Sequence, residues 1–195
     1  MAKLPLMTVG HSTLPLESLL KALADNGVKR LVDVRAFPGS RRHPQFGREA
    51  LERSVPAAGI QYEWTPDLGG RRKMAAESVN GGWRNASFRA YADYMQTPEF
   101  VAALERLIEI SQRDPVAYMC SEAVPWRCHR TLISDALMAR GFEVEHIYVK
   151  PNGESVRKPH SMTPFARVER GIVAPRVTYP ANPAQTEIPF QAQAS

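Results

Sequence analysis

Hydrophobic positions along this chain follow two alternating rhythms. Short apolar runs suited to strands occur at Leu6 to Val9, Arg30 to Val34, Ile60 to Trp64, Val116 to Met119 and Val144 to Val149. Between them, apolar residues recur three and four apart at Pro15 to Asn26, Arg48 to Ala57, Ser87 to Met95, Pro98 to Ser111 and Pro125 to Gly141. The first rhythm fits strands, and the second marks one buried face of a helix. Leu16, Leu19, Leu20 and Leu23 form the first helix's stripe, with Thr13 as its expected cap and Asn26-Gly27 as its stop. Phe100, Leu104, Leu107 and Ile108 form another behind Thr97 and Pro98. Strands alternating with helices predict one three-layer, Rossmann-like α/β domain over residues 1–162, with a mostly parallel sheet of about five strands.

The pattern then fades. From Pro151 onward there are seven prolines and no clear period, so residues 163–195 are expected to form an extended or disordered Pro-rich tail. Two connections inside the domain are long: Ala36 to Gly47, and Thr65 to Gly82, which carries Leu68-Gly69-Gly70-Arg71-Arg72. Connections of that length are usually functional or mobile.

Composition narrows the classes. With 44% hydrophobic and 23% charged residues, the chain is expected to be soluble and globular. No apolar run is long enough to cross a bilayer, and the start of the chain has no signal-peptide core. Two cysteines do not make a disulfide scaffold, so a reducing cytoplasm is the expected location. A net charge of +5 leaves an anionic small molecule or nucleic acid open as partner. Nothing in the sequence asks for a cofactor.

Candidate chemistry gathers where the predicted strands end. Ligands of open parallel sheets sit outside the carboxyl ends of the strands. His11 and Ser12 follow strand one, Asp33 and Arg35 close strand two, Gly69, Gly70 and Arg71 follow strand three, and Cys120 and Glu122 follow strand four. A helix opened by Pro125 would carry Cys128, His129 and Arg130 in its first turns. Its N-terminal field, with Arg127 and Arg130 nearby, predicts that Cys120 is held as thiolate. That nominates Cys120 as nucleophile, Glu122 as general acid or base and His11 as a second proton-transfer group. Ser12, Asp33, Arg35, Gly69, Gly70, Arg71, Arg127, Cys128, His129 and Arg130 would bind an anionic substrate.

Other readings use the same residues. The cysteines could be small buried hydrophobes, His11 a loop histidine and Arg71-Arg72-Lys73 a solvated face. Cys120, Cys128 and His129, with His11 as fourth ligand, could hold zinc; Cys120 and Cys128 could be a redox pair. Glu122 could lead a glycosidic-bond chemistry in which Cys120 only shapes the pocket. In a non-catalytic nucleic-acid-binding protein, Trp64, Trp83 and Trp126 would stack on bases instead of filling the core.

Gly10-His11-Ser12, Asp33-Val34-Arg35 with Pro38 and Ser40, Leu68-Gly69-Gly70, and Cys120-x-Glu122 followed by Cys128-His129-Arg130 together resemble the domain of unknown function 488 family. The likeness runs from about Leu6 to about Met162, and the Cys-x-Glu-x5-Cys-His-Arg run is its most specific part. It implies a compact α/β domain, while the family name assigns no activity. A looser likeness is to rhodanese-type sulfurtransferases and cysteine phosphatases, which also place a cysteine in an anion-cradling loop after a strand. Leu31-Val32-Asp33-Val34-Arg35 looks like an early rhodanese strand. Cysteine phosphatases need Cys-x5-Arg, but the sixth residue after Cys120 is Trp126, and Arg127 comes one place late. The loop also lacks glycine and contains Pro125, which leaves fewer N–H groups for an oxyanion.

Overall fold

A computed structural model of the chain describes residues 5–39, 41–171 and 174–181. Five strands run parallel: β1 (Leu6–Gly10), β2 (Arg30–Asp33), β3 (Gln61–Trp64), β4 (Val116–Cys120) and β5 (Val144–Val149). A sixth, β6 (Ser155–Pro159), pairs antiparallel with β5, giving the order β3-β2-β4-β1-β5-β6. The sequence pattern misses β6 because an exposed edge strand needs no apolar alternation. Its Arg157, Lys158 and Pro159 suit an edge that must not pair further.

Five helices cover the two faces: α1 (Leu16–Asp25), α2 (Arg48–Ala57), α3 (Ala86–Tyr94), α4 (Pro98–Ser111) and α5 (Arg130–Ala139). Successive strand residues point to opposite sides, and the core divides accordingly. Val116, Tyr118 and Cys120 of β4 face the cluster formed with α3, α4 and α5. Ala117 and Met119 face the one formed with α1 and α2. The result is the expected three-layer α/β arrangement.

Two helix starts differ from expectation. Thr13 does not cap α1; Pro15 occupies the cap position, with no side-chain bond to the helix. The last helix does not open at Pro125. That proline begins a separate 3₁₀ turn, Pro125–Arg127, after which Cys128 is extended and α5 starts at Arg130. Thr97 caps α4 as expected, accepting from Phe100 N–H.

The described part of the expected tail runs extended over the α3–α4–α5 face. It contains a small antiparallel ribbon, β7 (Arg167–Glu169) with β8 (Arg176–Thr178). Tyr179 is fully buried; its N–H donates to Asn80 Oδ1 and its hydroxyl to Asp135 Oδ2, at 2.9 and 2.8 Å. Residues 182–195 of the expected tail lie outside the described residues.

Candidate functional site

The strand connections create a natural place for a ligand. β1 and β2 lead into α1 and α2 on one face, whereas β4, which lies between them in the sheet, leads toward α5 on the other. Such a reversal opens a crevice at the carboxyl ends of the strands. A cavity of about 810 Å³ lies there. Of the residues nominated from sequence, His11, Ser12, Arg35, Gly70, Arg71, Cys120, Glu122, Arg127, Cys128 and His129 line it. Ser12 and Arg71 on its wall both have positive φ, 47° and 60°, in the region that disfavours residues with a side chain.

At the corner between β1 and β2, Asp33, Arg35 and His11 are tied to one another. Asp33 is fully buried and holds Arg35 in a fork, taking Nε at 2.8 Å on Oδ1 and Nη2 on Oδ2. The Tyr62 hydroxyl donates to Asp33 at 2.7 Å, and Trp64 Nε1 donates to the Arg35 carbonyl at 2.8 Å. Arg35 Nη1 meets His11 Nε2 at 3.2 Å, and His11 Nδ1 lies 2.9 Å from the Ser12 carbonyl. A guanidinium can only donate and a carbonyl can only accept, so the proton of His11 is assigned to Nδ1. Burial, then the Arg35 charge, lower the His11 pKa to about 4. At neutral pH this imidazole is uncharged, with both nitrogens engaged, and it holds Arg35. Asp33 is not in the cavity wall but beneath it.

The corner between β4 and α5 is organised differently. Gly10 lets the β4 loop close over β1; a Cβ there would stand 1.8 Å from the Glu122 carbonyl oxygen. The loop continues paired, His11 N–H to Cys120 O and Ser12 N–H to Ser121 O. Cys120 Sγ and Cys128 Sγ lie 4.0 and 3.7 Å from His129 Nδ1. His129 Nε2 is 3.0 Å from the Val34 carbonyl, which assigns a proton to Nε2 and turns Nδ1 toward the sulfurs. Tyr91 packs on the ring at 4.9 Å.

The charge on the sulfur pair is reversed from the sequence expectation. Cys120 is pushed up to about 12, because its S–H donates to Cys128 and because it is buried. Burial alone would raise Cys128 too. The Cys120 S–H, the Arg130 charge and the Arg130 N–H outweigh it and bring Cys128 down to about 6. Arg130 explains the choice. It is 1% exposed, and its side chain donates to Thr8 Oγ1 and the Glu122 and Ala123 carbonyls, none of them charged. A buried cation favours the anionic form of a titratable group beside it, and Cys128 is such a group.

Arg130 therefore does not reach the cavity as an anion clamp; it braces the Cys120–Val124 loop from within. Gly69 is also outside the wall. Its missing side chain lets the loop close on Ala36, whose backbone a Cβ would meet at 2.7 Å. Gly70, by contrast, faces His129, with a Cβ position 3.1 Å from Nδ1. Glu122, Arg71 and Arg127 are exposed at the rim. Of the neighbouring basic residues, Arg72 is engaged in structure, donating to the Gly69 and Pro66 carbonyls and covering the Tyr94 ring.

Sequence reasoning missed Tyr91, Tyr62 and the Val34 carbonyl, which fix the two imidazoles and Asp33. Only the aromatic alternation of Ile60 to Trp64 hinted at Tyr62. The three tryptophans separate: Trp64 is tied to Arg35, Trp83 packs among Phe88, Phe165 and Tyr179, and Trp126 is 63% exposed.

Among the described residues, no helix is long and apolar enough to cross a membrane. Neither the curated proteins nor the solved structures contain a match to the chain. A family model described as Domain of unknown function DUF488 matches residues 15–137, which span α1 through most of α5 and include the Cys120-to-Arg130 run. The chain belongs to this DUF488 family.

Proposed function

We propose that this protein is a thiol-dependent enzyme, a transferase or hydrolase acting on a phosphate-bearing substrate such as a nucleotide or nucleic acid. The observation that carries the reading is the meeting of two sulfurs and His129 Nδ1, all within 4.8 Å, at a cavity lined by Arg35, Arg71 and Arg127. Cations facing a confined space favour an anion, and a thiolate with a hydrogen-bonded thiol beside it is an activated nucleophile. In this reading the nucleophile is Cys128, and Cys120 is the S–H that stabilises it. Glu122, on the rim, exchanges the proton of the leaving group. His11 and Asp33 keep Arg35 aimed at the substrate. A reducing cytoplasm would keep both thiols free.

The test is alkylation by iodoacetamide across pH, with each thiol followed by mass spectrometry. Cys128 should react with a midpoint near pH 6, and inorganic phosphate or nucleotide should slow it. A midpoint at the ordinary thiol value, with no protection by either anion, overturns the proposal.

The same three atoms favour a second reading. A histidine whose other N–H is held by a backbone carbonyl is oriented as metal-binding histidines are. Two sulfurs and a nitrogen suit zinc, leaving a fourth position for substrate or water. Elemental analysis of protein prepared without chelator separates the two. Stoichiometric zinc would make the cysteines ligands, and substoichiometric metal would end the zinc reading.

A further inference from the structure

Among the described residues, Trp83 Nε1 and His146 Nδ1 are two of the few buried side-chain polar atoms with no hydrogen-bond partner, and both residues line one second cavity. It measures about 390 Å³. Only the Pro125–Arg127 turn separates it from the first: Pro125 and Trp126 line the second cavity, while Val124 and Arg127 line the first.

The chemistry of the first atom is fixed, and that of the second follows from a tautomer. An indole N–H can only donate. His146 Nδ1 is the end of a chain of bonds that begins at Asp135, which is fully buried. Asp135 Oδ1 accepts from His160 Nε2 at 2.8 Å, and His160 Nδ1 meets His146 Nε2 at 2.9 Å. In the tautomer where His160 carries its single proton on Nε2, toward Asp135, His146 donates through Nε2 and its Nδ1 carries a bare lone pair. Burial above all lowers His146 to about 3, which keeps that ring neutral. His146 is only 5% exposed, so solvent does not satisfy the nitrogen. Buried polar atoms in folded proteins nearly always have a partner.

The rest of the lining says what that partner should be. Aromatic rings of Trp83, Trp126, Tyr148 and Phe165 surround the space, and among the described residues no Asp, Glu, Lys or Arg side chain lines it. Trp126 stands on the rim with most of its ring in water. The complement is a flat, uncharged ring whose edge offers an N–H beside an acceptor. Every nucleobase has such an edge, and stacking on aromatic side chains is how unpaired bases are held.

We propose that this cavity is a nucleobase subsite, taking the base of a substrate whose phosphate lies beyond the Pro125–Arg127 turn in the cysteine cavity. It rests on the phosphate-bearing substrate read above and names what that substrate carries. The test is calorimetric titration of the full chain with adenosine, guanosine, cytidine and uridine, and separately with inorganic phosphate. Nucleosides carry no phosphate, so they probe this cavity alone.

At least one nucleoside should bind. Trp126→Ala, a change at an exposed ring, should weaken that binding about tenfold or more, and Trp83→Phe about fivefold. Neither should alter phosphate binding. If phosphate binds and no nucleoside does up to about 10 mM, the subsite is wrong and the cysteine-cavity reading stands. If nucleosides bind and phosphate does not, the subsite stands and the phosphate reading falls. Nucleoside binding that both variants leave unchanged also overturns the subsite.

Discussion

At the corner between β1 and β2, His11 donates Nδ1–H to Ser12 and receives Arg35 on Nε2; at the corner between β4 and α5, His129 donates Nε2–H to Val34 and keeps Nδ1 for two sulfurs. Both imidazoles line the same cavity, and a backbone carbonyl orients each. The difference lies in the second nitrogen. At His11 it is occupied by a cation that Asp33 already grips, and the corner closes into a paired network. At His129 it faces soft sulfur atoms at 3.7 and 4.0 Å, too long and weak to bind the lone pair tightly. One corner is closed by its own pairing, and the other leaves a nitrogen and two sulfurs at the cavity. Composition alone would not separate two histidines beside two arginines; the hydrogen-bond accounting does.

The largest effect should come from opening the closed corner. Asp33→Ala would leave the buried Arg35 guanidinium without its carboxylate, and removing one member of a buried pair costs about 3–5 kcal/mol. Cys120→Ala at the other corner removes a neutral, buried sulfur held by long contacts, and should cost about 1 kcal/mol. Urea denaturation of both variants checks the contrast. Equal losses would mean that the sulfur corner is as structural as the aspartate one.

The pH dependence of stability sharpens the comparison next. An unfolded histidine takes its proton near 6.5, whereas His11 takes one only near 4. Between those values the unfolded chain binds more protons, so stability falls as pH drops, by about 1.4 kcal/mol per pH unit for His11. Across the window that is roughly 3 kcal/mol. His146, lowered to about 3, contributes a slope of the same sign over a wider range. His11→Gln should therefore flatten the slope between pH 6.5 and 4 by roughly half. An unchanged slope would show that His11 is not held neutral.

How much of this was legible in the sequence follows from what burial does to a pattern. Strands such as Leu6–Gly10 and Val116–Cys120 are buried at every position and write themselves as apolar runs. The parallel sheet and the gathering of strand ends were therefore readable. β6 and the ribbon of β7 and β8 were not, because their residues are mostly exposed. Tyr179 is the counterexample: its anchor is Asp135, 44 residues away, and no local period records such a contact. The pull on the two thiols differs from the sequence expectation for a similar reason. Pro125 suggested a helix start, which put Cys120 at the helix field. The chain makes a 3₁₀ turn first, so the field and the buried Arg130 charge act on Cys128.

The smallest change tests whether the open corner depends on position alone. A Cβ at Gly70 would stand 3.1 Å from His129 Nδ1, close enough to move the ring by a few tenths of an ångström but not to unfold anything. Gly70 has no positive φ, so alanine adds no backbone strain, and the less flexible unfolded chain contributes about 0.4–1 kcal/mol in its favour. Global stability should therefore shift by less than about 1 kcal/mol in either direction. The ring cannot retreat freely, because Nε2 is tied to Val34 and Tyr91 packs on its face. The displacement falls on Nδ1 and its sulfur contacts. Gly70→Ala should thus change the rates of alkylation of Cys120 and Cys128 at pH 7 while leaving the melting temperature nearly unmoved. Gly69→Ala is the control: its Cβ meets the Ala36 backbone at 2.7 Å, so it should lower stability. If Gly70→Ala leaves both thiols reacting as before, the His129 lone pair does not govern the sulfurs, and the contrast between the two corners reduces to burial.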